Sequence, residues 1–346
     1  MSRDVTDDDD DKAVAPRTAT SLFGHAEAEG LLLAAYRSAK PPHAFLLVGP
    51  KGIGKATLAY RMARFVLAHP DPAAAEVKAA TSLAVDPGHV AARRMTARAH
   101  PGLLVLERTP NEKGAMRQQI AVDDVRRTVT FFGNTSGEGG WRIALVDAVD
   151  ELNRFGANAL LKVLEEPPQR ALLLLVCHSP ARVLPTLRSR CCVVNMRPLA
   201  QTDVAAALAA AVGGETGDAD IHTAAAAGDG SVGRALEFLD EDMLSLRRHA
   251  LAELDRLPAI DTKALHELGE ALAGTDARPL GAFLDTVNAW MSRRLGRGSG
   301  DLAGLAQLAG AWQRINQAAQ DALEYNLERK PLVLSVFGLL AGATRH

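Results

Sequence analysis

The sequence predicts an α/β domain built on a parallel sheet, followed by a small helical domain and then a longer helical one. Three observations lead there. Short apolar runs recur at Phe45 to Val48, Leu103 to Leu106, Ile143 to Val146, Leu172 to Val176 and Cys192 to Val194, with helical spacing between them. These runs are apolar throughout rather than alternating, as strands covered by helices on both faces are. After Pro198 such runs stop, and Ala-rich segments such as Val204 to Val212 and Thr223 to Ala227 read as helices.

In order along the chain, the 346 residues suffice for two or three domains. Residues 1–20 are polar, and the run Asp7 to Asp11 before Lys12 predicts a solvated, disordered tail. The same residues also resemble an engineered protease-cleavage site; a native tail is the preferred reading. Residues 21–198 carry the strands and make up the sheet domain, 199–242 the small helical domain, and 243–346 further helices broken near Leu295 to Asp301 by glycines and a serine.

Composition narrows the function classes. At 47% hydrophobic and 23% charged the chain is globular, and no apolar run reaches the roughly 18 residues of a membrane span. The start is acidic rather than basic and then apolar, so a cytoplasmic protein without membrane partners is expected. Three cysteines, two of them adjacent at Cys191 and Cys192, with no C-x-x-C pair, suggest reduced thiols and no zinc. With 39 Lys+Arg against 41 Asp+Glu, the overall basic footprint of a dedicated DNA binder is missing.

The segment Gly49-Pro50-Lys51-Gly52-Ile53-Gly54-Lys55 fits G-x-x-x-x-G-K between an expected strand and a helix over Lys55 to His69. Its glycines let backbone N–H groups close around phosphate oxygens. Lys55 and the helix N-terminus add positive charge. Gly49, Gly52, Gly54 and Lys55 are therefore the candidate nucleotide-binding residues, joined by Asp147, the acid ending the apolar strand from Trp141. Two expected groups are replaced. Ala56 stands where a hydroxyl would meet magnesium, and Thr57 points elsewhere because a helix turns about 100° per residue. Ala148 stands where a general base would follow the strand acid. Asp150 and Glu151 read as solvated or capping acids, and Glu165 and Glu166, before Pro167-Pro168, as a helix end.

Arg190, in Leu187-Arg188-Ser189-Arg190-Cys191, falls at the last helix-to-strand junction of the sheet, a rim position. A planar cation presented from a rim can stabilise a transferring phosphoryl group on a neighbouring molecule. By spacing alone, a surface arginine paired with a local carboxylate is an equal reading.

Asn158 to Pro168 (N-A-L-L-K-V-L-E-E-P-P) and Thr186 to Cys191 (T-L-R-S-R-C) resemble the bacterial clamp-loader AAA+ family. The resemblance extends to Phe23-Gly24-His25, His43-Ala44-Phe45, His100-Pro101-Gly102, Val122 to Arg126 and Asn326 to Lys330, nearly everything after residue 20. It implies a P-loop AAA+ domain, a helical lid and a helical collar that assembles the ring. Motor subunits of that family keep a hydroxyl after the P-loop lysine and an Asp-Glu pair. Ala56 and Asp147-Ala148 therefore resemble its non-hydrolysing member, the comparatively rigid end of a pentamer that opens the sliding clamp in DNA replication. By position, Arg190 is then the arginine finger offered in trans to the adjacent motor subunit. The resemblance further implies motor (gamma/tau) and delta subunits, the clamp and primer-template DNA as partners within the DNA polymerase III holoenzyme. ATP or ADP held without hydrolysis is the expected cofactor state.

Two departures limit this transfer. Ala68 to His100 contains none of the four cysteines of the family's zinc module, so no zinc is expected. Gly230-Ser231-Val232 is followed by Gly233 before Arg234, one residue away from the family's sensor arginine. Two other readings remain: an active ATPase, favoured by Lys55 and Asp147, and a nucleic-acid module acting through Arg93, Arg94 and Arg98 or Arg293, Arg294 and Arg297.

Overall fold

A computed structural model of the chain describes residues 15–110, 117, 119–133, 140–214, 216–274, 276, 278–296, 302–324 and 327–344. The run Asp7 to Asp11 with Lys12, Arg297, residues 298–301 and Asn326 lie outside the described residues. The chain divides into two compact units, Met1–Gly233 and Arg234–His346.

In the first unit, α1 (Ala26–Tyr36) leads to β1 (Ala44–Val48), the glycine loop and α2 (Lys55–Ala68). Short helices α3 (Ala75–Ala79) and α4 (Val90–Thr96) precede β2 (Leu103–Glu107). Next come α5 (Val122–Gly133), β3 (Arg142–Asp147), α6 (Arg154–Glu165), β4 (Ala171–Cys177), the single turn α7 (Pro185–Arg188) and β5 (Cys192–Asn195). The strands form one sheet in the order β2-β3-β4-β1-β5, with every pairing parallel. Each of the five apolar runs is a strand, as expected.

Alternation decides which helix each strand residue meets. Phe45 and Leu47 of β1, Ile143 and Leu145 of β3, and Leu172, Leu174 and Val176 of β4 pack with Leu32, Tyr36, Leu58, Met62 and Phe65 of α1 and α2. Their neighbours Leu46, Ala144, Val146, Leu173 and Leu175 face the other way, against Val125 of α5, Leu160, Val163 and Leu164 of α6 and Leu187 of α7. The interior positions of the central strands are therefore apolar on both faces, and β3 carries charge only at its ends, Arg142 and Asp147. The edge strands depart from that rule. In β5 only Val194 is buried, and β2 is mostly half-buried, because each has a strand neighbour on one side alone.

Residues 17–20, assigned to the tail by sequence, are held by α2. Arg64 donates to the carbonyls of Arg17 (2.6 Å) and Ala19 (3.1 Å), while Arg61 donates to the Thr20 carbonyl and pairs with Glu29 at 2.7 Å. Both arginines are buried, so these bonds engage guanidinium nitrogens that lack water, Nη1 and Nη2 in the case of Arg64.

Helices α8 (Gln201–Val212) and α9 (Asp218–Ala227) complete the first unit, and α10 (Val232–Glu237) spans the division. The second unit comprises α11 (Glu241–Asp255), α12 (Thr262–Ala271), α13 (Arg278–Gly296), α14 (Leu302–Glu324) and α15 (Arg329–Ala343). Leu280, Phe283, Val287, Trp290 and Met291 give α13 a buried face, and Trp290 donates its indole N–H to Asp255 at 3.0 Å. No helix among the described residues is long and apolar enough to cross a membrane.

Leu174 lies fully buried in the interior strand β4. Leu174→Ala is expected to lower unfolding free energy by about 2–5 kcal/mol through lost burial and a residual cavity. Urea unfolding of the two proteins checks this, and a loss below about 1 kcal/mol would contradict close packing at that point.

Candidate functional site

The parallel sheet brings the glycine loop and the end of β3 to the same edge. Val48 pairs with Cys177, and Asp147 pairs with Val176, so both strands end at one level. Gly52 (φ 76°) and Gly54 (φ 103°) adopt the left-handed backbone that side chains strain. A Cβ on Gly49 would lie 2.5 Å from the Met196 carbonyl oxygen, and one on Gly52 would lie 2.4 Å from Ser231 Oγ. The loop is braced on two sides. His25 Nε2 lies 2.7 Å from the Ile53 carbonyl, and burial lowers the pKa of that imidazole, so it donates as the neutral ring. Opposite, Ser231 Oγ donates to the Lys51 carbonyl at 2.9 Å, and Gly233 N–H donates to Gly52 at 3.0 Å.

Lys55 is 3% exposed, and its ammonium donates to the Gly49 carbonyl at 2.7 Å and to that of Pro50. Burial pulls its pKa down to about 8, against the raising influence of Asp147 and Asp150. Burial likewise pushes Asp147 up to about 6; Glu151 adds to that rise and Lys55 opposes it. A desolvated cation whose hydrogen-bond partners are neutral carbonyls, beside glycines that leave room for backbone donors, fits a phosphate group.

The residues that follow Lys55 and Asp147 pack in the core or make other contacts. Ala56 packs beside the core, and Ala148 is buried directly after Asp147. Asp150, itself buried, accepts from the backbone N–H groups of His178 (2.8 Å) and Ser179 (3.0 Å), capping the turn after β4. Glu151 is not a solvated acid: its Oε2 meets Arg108 Nε at 2.8 Å, and burial raises its pKa. His178 was not legible as a site residue. Its Nδ1 is buried without a hydrogen-bond partner among the described residues, and burial lowers its pKa to about 4. The signal available was a histidine directly after an all-apolar strand that flanks the phosphate-loop strand.

Arg190 does not join this group. It precedes β5, whose Cys192 pairs with Phe45 and whose Asn195 pairs with Val48. β5 covers only Cys192–Asn195, so Arg190 lies in the turn before the strand begins, at the edge opposite the level of Gly49. Its guanidinium pairs with Glu165 (Nη2 to Oε1, 3.0 Å) and donates from Nη1 to the Thr186 carbonyl at 2.9 Å. The alternative of a surface arginine paired with a local carboxylate therefore describes Arg190 in the chain by itself. Glu165, read as a mere helix end, is the partner. Arg93, Arg94 and Arg98 are exposed around α4, Arg294 stacks over Trp290 at 5.1 Å, and Arg234 belongs to the second unit.

Raising Asp147 from 3.8 to about 6 means that the folded chain holds a proton there more tightly than the unfolded chain. That contribution is complete below about pH 4 and is lost as pH rises through about 6. Asp147→Asn should therefore stabilise the chain at pH 7.5 by on the order of 1 kcal/mol, discounted because Lys55 loses a neighbouring charge, with the gain fading by pH 4. Thermal melts at both pH values check this; equal shifts at both would contradict it.

A family model described as "DNA polymerase III, delta subunit" matches residues 24–200, about half of the chain. The DNA polymerase III subunit delta' of Pseudomonas aeruginosa is 42% identical over 157 residues, which cover 44% of this chain and 42% of that protein. That of Yersinia pestis is 34% identical over 160 residues, 46% of this chain and 43% of the relative. The DNA polymerase III subunit gamma/tau of Mycobacterium bovis is 27% identical over 284 residues, 79% of this chain and 46% of the relative. The chain thus spans less than half the length of the curated relatives it matches. With a family match over the whole phosphate-loop sheet and identity concentrated in delta' relatives, the chain belongs to the DNA polymerase III delta-subunit family.

Proposed function

We propose that the chain is a clamp-loader subunit of DNA polymerase III that does not hydrolyse ATP and that lends Arg190 to the ATP site of an adjacent motor subunit. The observation that carries this reading is the placement of Arg190 at the N-terminal edge of the sheet, while its own phosphate loop occupies the C-terminal edge. An arginine there is out of reach of its own P-loop and open to a neighbour's. Arginine fingers supplied in trans contribute on the order of 10³–10⁵ in phosphoryl transfer.

The chain's own site supports the other half of the proposal. Ala56 offers magnesium no oxygen, Ala148 offers water no base, and Asp150 and Glu151 are engaged by backbone amides and Arg108. ATP or ADP bound without turnover is the state this reading assigns to the loop. Gly49, Gly52, Gly54 and Lys55 would hold it, with phosphate oxygens replacing the Gly49 and Pro50 carbonyls at Lys55 Nζ. The partners that follow are gamma/tau motor subunits, delta, the sliding clamp and primer-template DNA reached through the complex. An active ATPase is the second reading, favoured by the intact Lys55 and Asp147.

Arg190→Ala in a reconstituted complex should lower ATP turnover stimulated by DNA and clamp, by losing the contribution of one motor site, while co-purification of all subunits survives. Unchanged stimulated turnover would sink the proposal. The purified chain alone should release no phosphate; release abolished by Lys55→Ala would instead establish the second reading.

A further inference from the structure

We infer that Glu165 is a positioning residue for Arg190: a counter-ion that holds the guanidinium tucked and neutralised until a phosphate displaces it. The inference rests on the reading of Arg190 given above.

Both ends of the pair are anchored in one core. Glu165 closes α6, whose Leu160, Val163 and Leu164 are buried in the same cluster as Leu187 of α7, three residues before Arg190. The 3.0 Å approach is thereby set by packed elements rather than by two loose side chains. A carboxylate in the last turn of a helix lies at the negative end of the helix dipole, so Glu165 gains from a cation there. Arg190 supplies it, and its second bond, from Nη1 to the Thr186 carbonyl, holds the same arm toward α7. Two of the five guanidinium N–H donors are engaged in this way, and the charge is compensated.

The pair is also built to exchange. Arg190 and Glu165 are 37% and 50% exposed, so water screens the attraction and breaking it is easy. A bidentate, multiply charged phosphate is a stronger partner than one exposed carboxylate. Glu165 therefore lowers the fraction of time that Arg190 is available and leaves its strength toward phosphate unchanged once it is released.

The test uses the reconstituted clamp loader carrying Glu165→Gln, which keeps shape and hydrogen-bonding capacity while removing the charge. Without DNA and clamp, kcat for ATP should rise about two- to five-fold, the range that an exposed ion pair corresponds to, with KM for ATP unchanged. Stimulated kcat should stay as in the wild type, as should the melting temperature of the subunit. In an Arg190→Ala background the substitution should change nothing. An unchanged or lower unstimulated kcat, or the same rise without Arg190, would overturn the inference. Arg190→Ala run in parallel separates the two levels. If it lowers stimulated turnover while Glu165→Gln is silent, the counter-ion role falls alone; if it changes nothing, the trans reading falls and takes this inference with it.

Discussion

Five strands running in one direction give the sheet two chemically different edges, and the placement of the functional groups follows from that polarity. Strands end, and helices begin, at the edge where Gly49 and Asp147 lie, so backbone donors, the α2 N-terminus and Lys55 converge there. Arg190 enters β5 from the opposite edge. No change of side-chain rotamer moves it across the sheet. The same polarity that gathers the glycine loop, Lys55 and Asp147 at one edge thus keeps Arg190 away from them.

The phosphate edge is held under electrostatic tension. Burial works against the charge of Lys55 and against that of Asp147, and the carbonyls of Gly49 and Pro50 compensate the lysine only as dipoles. Ser231 and Gly233 close over the loop on one side, and His25 supports it from the other. These contacts hold the glycine conformation in place.

Much of this was legible before the structure. The five strands were legible as apolar runs, and in the central strands this is because a strand buried on both faces has no polar position in its interior, as Leu172 to Val176 shows. The phosphate loop was equally plain, since glycine spacing is a local backbone requirement. Glu151 and Glu165 were misjudged for one common reason: Arg108 and Arg190, their partners, lie 43 and 25 residues away in sequence, and no local pattern reports such a pair. Residues 17–20 were assigned to a tail because their role is to offer carbonyls to Arg61 and Arg64, and any residue type has a carbonyl.

The sequence by itself determined the α/β class, the glycine-loop motif before α2 and the alanines at 56 and 148, because each depends on residue identity at fixed local spacing. Tertiary structure alone decided the strand order, the burial that shifts Lys55, Asp147 and His178, the brace from Ser231 and Gly233, and the side of the sheet on which Arg190 stands. Those features depend on which distant segments meet and how much water they exclude, and desolvation is a property of the assembled neighbourhood rather than of any residue in it.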